Sequence, residues 1–207
     1  MPEGTVHSEL LRRPGKLYVL ASHFHPDHFN KEVLQWREQR PDIIYIFSKD
    51  ILRHRRAQKE DAVWLKKGEE YKDETLSVRA FGSTDVGVSF LLQASGKKIF
   101  HAGDLNNWHW MDESTEAQWK GAEKNFLHEL DDLYAYTPEV DVAMFPVDPR
   151  LGKEYMRGAG QFVTKIKTHI FVPMHFTPEY AKANAFRDFA EAHGAVSYTH
   201  LTLPTNR

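Results

Sequence analysis

An α/β domain, with sheets packed inside and helices outside, is predicted from three observations on the chain. The first third reads strand, helix, strand, helix. The middle alternates apolar and polar residues in strands joined by glycine turns, and the last third returns to helix, strand, helix.

Each element follows from its own residues. The apolar run 17–21 ends in Ser22 and reads as a buried strand that delivers the chain to a histidine-rich loop. Asn30 is placed to cap a helix running to about residue 39, which Pro41 stops. A second buried strand is expected over 43–47, followed by Ser48 as the cap of a short basic helix. Leu76, Val78 and Ala80 alternate with polar neighbours, a further strand is expected over 86–92, and Gly96 turns the chain into a strand over 98–101. The pattern then predicts a long helix over 115–134, a strand over 140–145, a helix over 159–167, a strand over 170–174 and a helix over 178–193 ended by Gly194.

Bulk composition narrows the class. A chain of 207 residues suits one domain with a substantial core, and 41% hydrophobic with 27% charged residues excludes disordered and fibrous proteins. A net charge of -2 gives no general electrostatic drive toward nucleic acid or an anionic membrane. Cysteine is absent, so any metal must be held by nitrogen and oxygen ligands. The run 17–21 is too short for a signal-peptide core or a membrane span, and a soluble cytoplasmic protein is expected.

The chemistry concentrates at one place. His23, His25, Asp27 and His28 fall within six positions directly after the first strand. Alternation puts His23 and His25 on one side of an extended chain, and Pro26 turns it so that Asp27 and His28 can face a second point nearby. Such a set suits two adjacent cations supplied with neutral imidazoles and a carboxylate.

The pattern H-x-H-x-D-H resembles the signature of the metallo-β-lactamase superfamily, over residues 17–194. The resemblance implies a four-layer αβ/βα sandwich with a dinuclear site at the edge of two sheets. It implies that Asp104, in the strand-end turn Gly103-Asp104, bridges two metals, and that His175, after Pro173-Met174, joins Asp27 and His28 on the second. The family's third histidine for the first metal has no counterpart in the loop 82–87, where Asp85 is the residue able to replace it and equally reads as a turn residue. The implied cofactors are two divalent ions, zinc first, with manganese or iron as alternatives. The implied activity is hydrolysis of an ester, lactone or phosphodiester of a small molecule by metal-activated water, with Asp27 as a ligand that can also act as base. Two other readings are carried: a nuclease like the tRNA-maturing branch, using the basic run 53–59, and a non-catalytic metal-binding or sensory protein.

Further residues are candidates of lower rank. Asp148 and Ser22 are expected to orient imidazoles. Trp108 and Trp110 read as packing in preference to aromatic lining of a substrate pocket, His109 as an extra imidazole, His101 as buried, and Tyr155 with Arg157 as an anion contact or loop packing. Family members carry several strands before the signature strand, whereas sixteen residues precede Leu17, so those strands are expected to be missing. Residues 196–207, whose last letters resemble translated adapter sequence, are read as a non-native tail after a domain over 1–195, and no role is drawn from His200.

Overall fold

A computed structural model describes residues 8–197. His200 and the rest of the tail after Ser197 lie outside the described residues. The chain runs α1 (Ser8–Leu11), β1 (Tyr18–Ala21), a 3-10 helix (Lys31–Glu38), β2 (Ile44–Ser48), α2 (Lys49–Arg53), β3 (Val63–Leu65), β4 (Glu70–Lys72), β5 (Leu76–Phe81), β6 (Ser89–Ala94) and β7 (Lys97–His101). It continues through α3 (Glu116–Tyr136), β8 (Glu139–Pro146), α4 (Arg157–Lys165), β9 (Lys167–Met174), α5 (Tyr180–Ala185), α6 (Arg187–Ala192) and β10 (Val196–Ser197). None of the described helices is long and apolar enough to cross a membrane.

Two sheets form the centre. β1, β2 and β3 make a parallel sheet in that order. The larger sheet is ordered β10-β9-β8-β7-β6-β5-β4, antiparallel from β4 to β7 and parallel from β7 to β10. Strand alternation sorts side chains into three apolar interfaces. Tyr45 and Phe47 of β2 face outward onto Leu11, Ile51 and the 3-10 helix, while Ile44 and Ile46 face inward onto Val78, Ala80 and Phe90 of the larger sheet. The opposite face of the larger sheet, with Leu91, Phe100, Phe145 and Phe171, packs on Phe126, Leu130 and Leu133 of α3 and Phe162 of α4. Three interfaces mean four layers, helix, sheet, sheet, helix, as the family resemblance implies.

Several elements depart from expectation. Asn30 does cap the first crossover, accepting from Glu32 N–H, but the turns that follow close i to i+3 bonds and form a 3-10 helix. β3 and β4, three residues each, carry too little alternation to be read from sequence. The final helix is split at Phe186, whose N–H bonds back to Ala183 while its ring is fully buried against Phe171. Val196 and Ser197, assigned to the tail, pair with Ile170 and Phe171 as an edge strand.

Opposite the ends of β1 and β7 where the histidine loop and the Gly103-Asp104 turn sit, Asp73 joins the sheets. Its carboxylate accepts from Lys16 Nζ at 2.9 Å, Tyr18 OH at 2.7 Å, Tyr71 OH at 3.0 Å, and the N–H groups of Thr75 and Leu76. Burial opposes its charge, but the Leu76 N–H, Lys16 and Tyr18 together hold the carboxyl well below the usual range. A depressed carboxyl contributes stability that is present above its unfolded value, near about 3.9, and is lost as pH falls through the folded value. Thermal melts of wild type and Asp73→Asn are therefore expected to differ at pH 7 and to converge in strong acid; a gap that persists unchanged at low pH would contradict this linkage. In the main core, Phe145 lies 4.6 Å from Phe162 between ring centroids and is wholly buried. Phe145→Ala is expected to cost about 3–5 kcal/mol in denaturant unfolding.

Candidate metal centre

The strands that carry site residues finish at one edge of the sandwich. β1 ends in Ala21 and releases the loop holding His23, His25, Asp27 and His28; β7 ends in His101 before Asp104; β9 ends in Met174 before His175. Backbone contacts lock these loops together. Val88 N–H donates to Ser22 O at 3.0 Å, and Phe24 N–H donates to Asp50 Oδ2 at 3.0 Å. Thr84 Oγ1 donates to Asn106 O and accepts from Asn106 N–H, tying the loop after β5 to the loop after β7.

Two glycines make the close approach possible. Gly87 has φ 77° and a Cβ there would strike Ser22 O and His23 Cβ; Gly103 has φ 56° and a Cβ would lie 2.8 Å from Ser22 Cβ. His175 itself sits at φ 64°, a left-handed conformation that a histidine adopts only when its surroundings impose it.

The structure brings six of the seven expected residues into two groups. His23, His25 and Asp104 offer one atom each within 4.8 Å of one another, and so do Asp27, His28 and His175. Asp104 stands between the groups, with Oδ2 3.3 Å from His23 Nε2 and Oδ1 3.0 Å from His28 Nε2 and 3.5 Å from His175 Nε2. Burial opposes its ionisation, and the His23 and His28 imidazoles overcome this and hold the carboxyl far below its ordinary range. Asp27 Oδ2 lies 3.5 Å from His28 Nε2 and 4.0 Å from that of His175. Asp85 is the seventh. It stands apart, half exposed, with Oδ2 3.9 Å from His25 Nδ1 and outside both groups.

The far nitrogens of these rings are oriented from behind. Ser22 Oγ lies 3.1 Å from His23 Nδ1 and 3.4 Å from His28 Nδ1. Asp148, fully buried, accepts from His175 Nδ1 at 2.9 Å, an assignment of the tautomer that leaves Nε2 facing Asp104 and Asp27. Asp148 raises the affinity of His175 for a proton, against the effect of burial. Burial, with the nearby His28, pushes His101 down to about 4, and its neutral Nδ1 accepts from Gly103 N–H to brace the turn before Asp104.

Other candidates separate clearly. His109 is buried with Nδ1 accepting from Met111 N–H and Nε2 against Glu154 O, so it serves the loop and does not line the cavity. Tyr155 donates to Lys182 O and Arg157 pairs with Glu123, both away from the centre. Residues 53–56 are exposed at the end of α2, as a solvated face, with His54 stacked on Phe24 at 3.7 Å. Trp108 and Trp110, expected as packing, instead line a cavity of about 370 Å³ in front of Asp104, together with His25, Asp27, Thr84, Asp85, Arg150 and His175. Thr84, Asp50 and Arg150 were not foreseen. Arg150 alone had a local signal, an Asp-x-Arg spacing that can close a fork.

A metal fits this donor set. His23 Nε2 and Asp104 Oδ1 are buried without a hydrogen bond among the described residues, a cost that a cation would remove. Ligands held tetrahedrally at about 2.0–2.1 Å lie roughly 3.3–3.4 Å apart, close to the 3.0–3.5 Å spacings around Asp104.

Gly87→Ala is expected to lose more than about 1 kcal/mol of stability, because the added methyl meets backbone at a left-handed position. Urea unfolding at wild-type midpoint would show that the loop does not need this approach.

Comparisons with known proteins agree with the geometry. Residues 7–176 match the model of the beta-lactamase superfamily domain. Among curated proteins none matches the chain. Igni18, a metallo hydrolase from Ignicoccus hospitalis, superposes with a TM-score of 0.62 at 18% identity, over 89% of this chain and 76% of that one. The metallo-beta-lactamase fold protein YhfI from Bacillus subtilis gives 0.58 at 11% identity, over 87% and 74%. With the family model spanning most of its length and the fold shared with these structures, the chain belongs to the beta-lactamase superfamily.

Proposed function

We propose that the chain is a metal-dependent hydrolase that holds two divalent cations and cleaves an ester, lactone or phosphodiester of a small molecule. The observation that carries this reading is the pair of triads, His23, His25, Asp104 and Asp27, His28, His175, meeting across one buried carboxylate at the floor of an open cavity. His23, His25 and Asp104 would hold the first ion, with Asp85 added from the rim. Asp27, His28 and His175 would hold the second, sharing Asp104. Zinc suits imidazole-rich sets best, and the number of carboxylates leaves manganese and iron as alternatives.

Bound ions supply Lewis acidity that makes water nucleophilic at neutral pH and polarises the scissile group. The chain's own residues do the rest. Ser22 and Asp148 fix the ring orientations through the nitrogens that face away from the site. Asp104, nearly inaccessible and faced by His23 and His28, would supply negative charge between the two ions. Asp27, largely exposed at the cavity mouth, is the carboxylate placed to take a proton from water and pass it to a leaving group.

Elemental analysis after loading and desalting tests the reading. Wild type is expected to carry about two ions per chain, His25→Ala and His175→Ala about one each, and Asp104→Ala close to none. Asp85→Ala is expected to lower first-site occupancy by roughly half under the same two-ion scheme. A single ion in wild type, unaffected by His175→Ala, would sink the dinuclear assignment.

A further inference from the structure

The proposed ligands occupy only part of the cavity wall. Thr84, Trp108, Trp110 and Arg150 complete it, and Arg150 is the one lysine or arginine among the described lining residues. Its guanidinium is not loose. Nε lies 3.0 Å from both oxygens of Asp148 and Nη2 lies 2.5 Å from Oδ2, so a fully buried carboxylate grips one side of the fork. Nη1 makes no hydrogen bond among the described residues, and the side chain is about half exposed, at 53%. Here the head is held rigid and left at the cavity.

The indoles are fixed in the same manner. Trp108 Nε1 donates to Asp104 O at 2.9 Å, its ring meets His175 edge-on at 5.7 Å, and Trp110 stacks nearly parallel to it, 16° between planes. Trp110 is held at φ 43°, off the usual backbone range. Two half-buried aromatic surfaces maintained at a cavity wall are a ready site for a flat group.

We infer that Arg150 and the Trp108–Trp110 pair set the specificity of this site: Arg150 receives an oxyanion of the substrate and the indoles receive a planar unsaturated group. The inference rests on the hydrolase reading above and narrows it to anionic esters with a planar substituent, in preference to neutral lactones. Both phosphate and carboxylate offer oxygen pairs that suit a guanidinium.

Calorimetric titration of the metal-loaded protein decides the matter, with 4-nitrophenyl phosphate, 4-nitrobenzoate and uncharged 4-nitroacetophenone as probes. Wild type is expected to bind one or both anions at least about tenfold tighter than the neutral compound, and the tighter anion identifies the group recognised. Compared at equal metal occupancy, Arg150→Gln is expected to cut that preference about fivefold or more, Arg150→Lys to keep part of it, and Trp110→Ala to weaken all three probes. In kinetics, Arg150→Gln is expected to raise KM for bis(4-nitrophenyl) phosphate more than for 4-nitrophenyl acetate, with kcat less affected.

Unchanged anion binding in Arg150→Gln overturns the inference. So does a loss of binding that tracks a loss of metal, since Arg150 would then act only by positioning Asp148 and His175. Wild type that carries its metal but turns over neither ester overturns the hydrolase reading, while the order of the three affinities still decides the specificity. Wild type that binds no metal overturns both.

Discussion

Asp104 is ionised, almost wholly buried, and faced by imidazoles from two separate stretches of chain. A carboxylate in that position is costly unless positive charge stands against it, and the fold commits two loops to providing the partners. Much of the surrounding backbone reads as a response to this demand. Gly87 and Gly103 let the loops after β5 and β7 press onto Ser22, Thr84 clasps the Asp104 loop, and His175 accepts a strained backbone to reach the same point. The architecture serves the same end, since β1 lies in one sheet and β7 and β9 in the other, and their ends meet at one edge.

Much of this was legible in the residues. His23, His25, Asp27 and His28 are contiguous, so their density alone announces a metal centre. Asp104 and His175 are ordinary turn and strand-end residues by themselves, and the family's order along the chain is what marks them. Of the three cores, the inward face of β5 was legible from Leu76, Val78 and Ala80 alternating with polar residues, whereas β2 is apolar on both faces and its division between two cores leaves no sign in the sequence. What stayed hidden depends on distant partners. Asp50 supports Phe24 from 26 positions away, Thr84 meets Asn106 across 22, and Arg150 reaches the cavity through a pairing that spacing permits but does not require. Local rules also lose to packing at Phe186, where burial of one ring interrupts a pattern that otherwise reads as a continuous helix.

The environment behind the histidines deserves equal weight with the histidines themselves. One serine hydroxyl stands behind both His23 and His28, and one buried aspartate stands behind His175 and Arg150 at once. Asp148 therefore couples a proposed ligand to a proposed specificity element, and Arg150 Nη2 also lies 3.2 Å from His175 Nδ1, so a change at either is felt by the other. This sharing explains why Arg150 must be tested with metal content measured beside affinity.

Because β1, β7 and β9 discharge at a common rim, the scaffold separates what must stay constant from what is free to vary. Trp110, Asp85 and Arg150 sit on connections between the strands and belong to none of the three apolar interfaces. Selection, natural or in the laboratory, can thus rewrite this enzyme candidate's preferences by editing its brim, with the sandwich beneath as an inert handle.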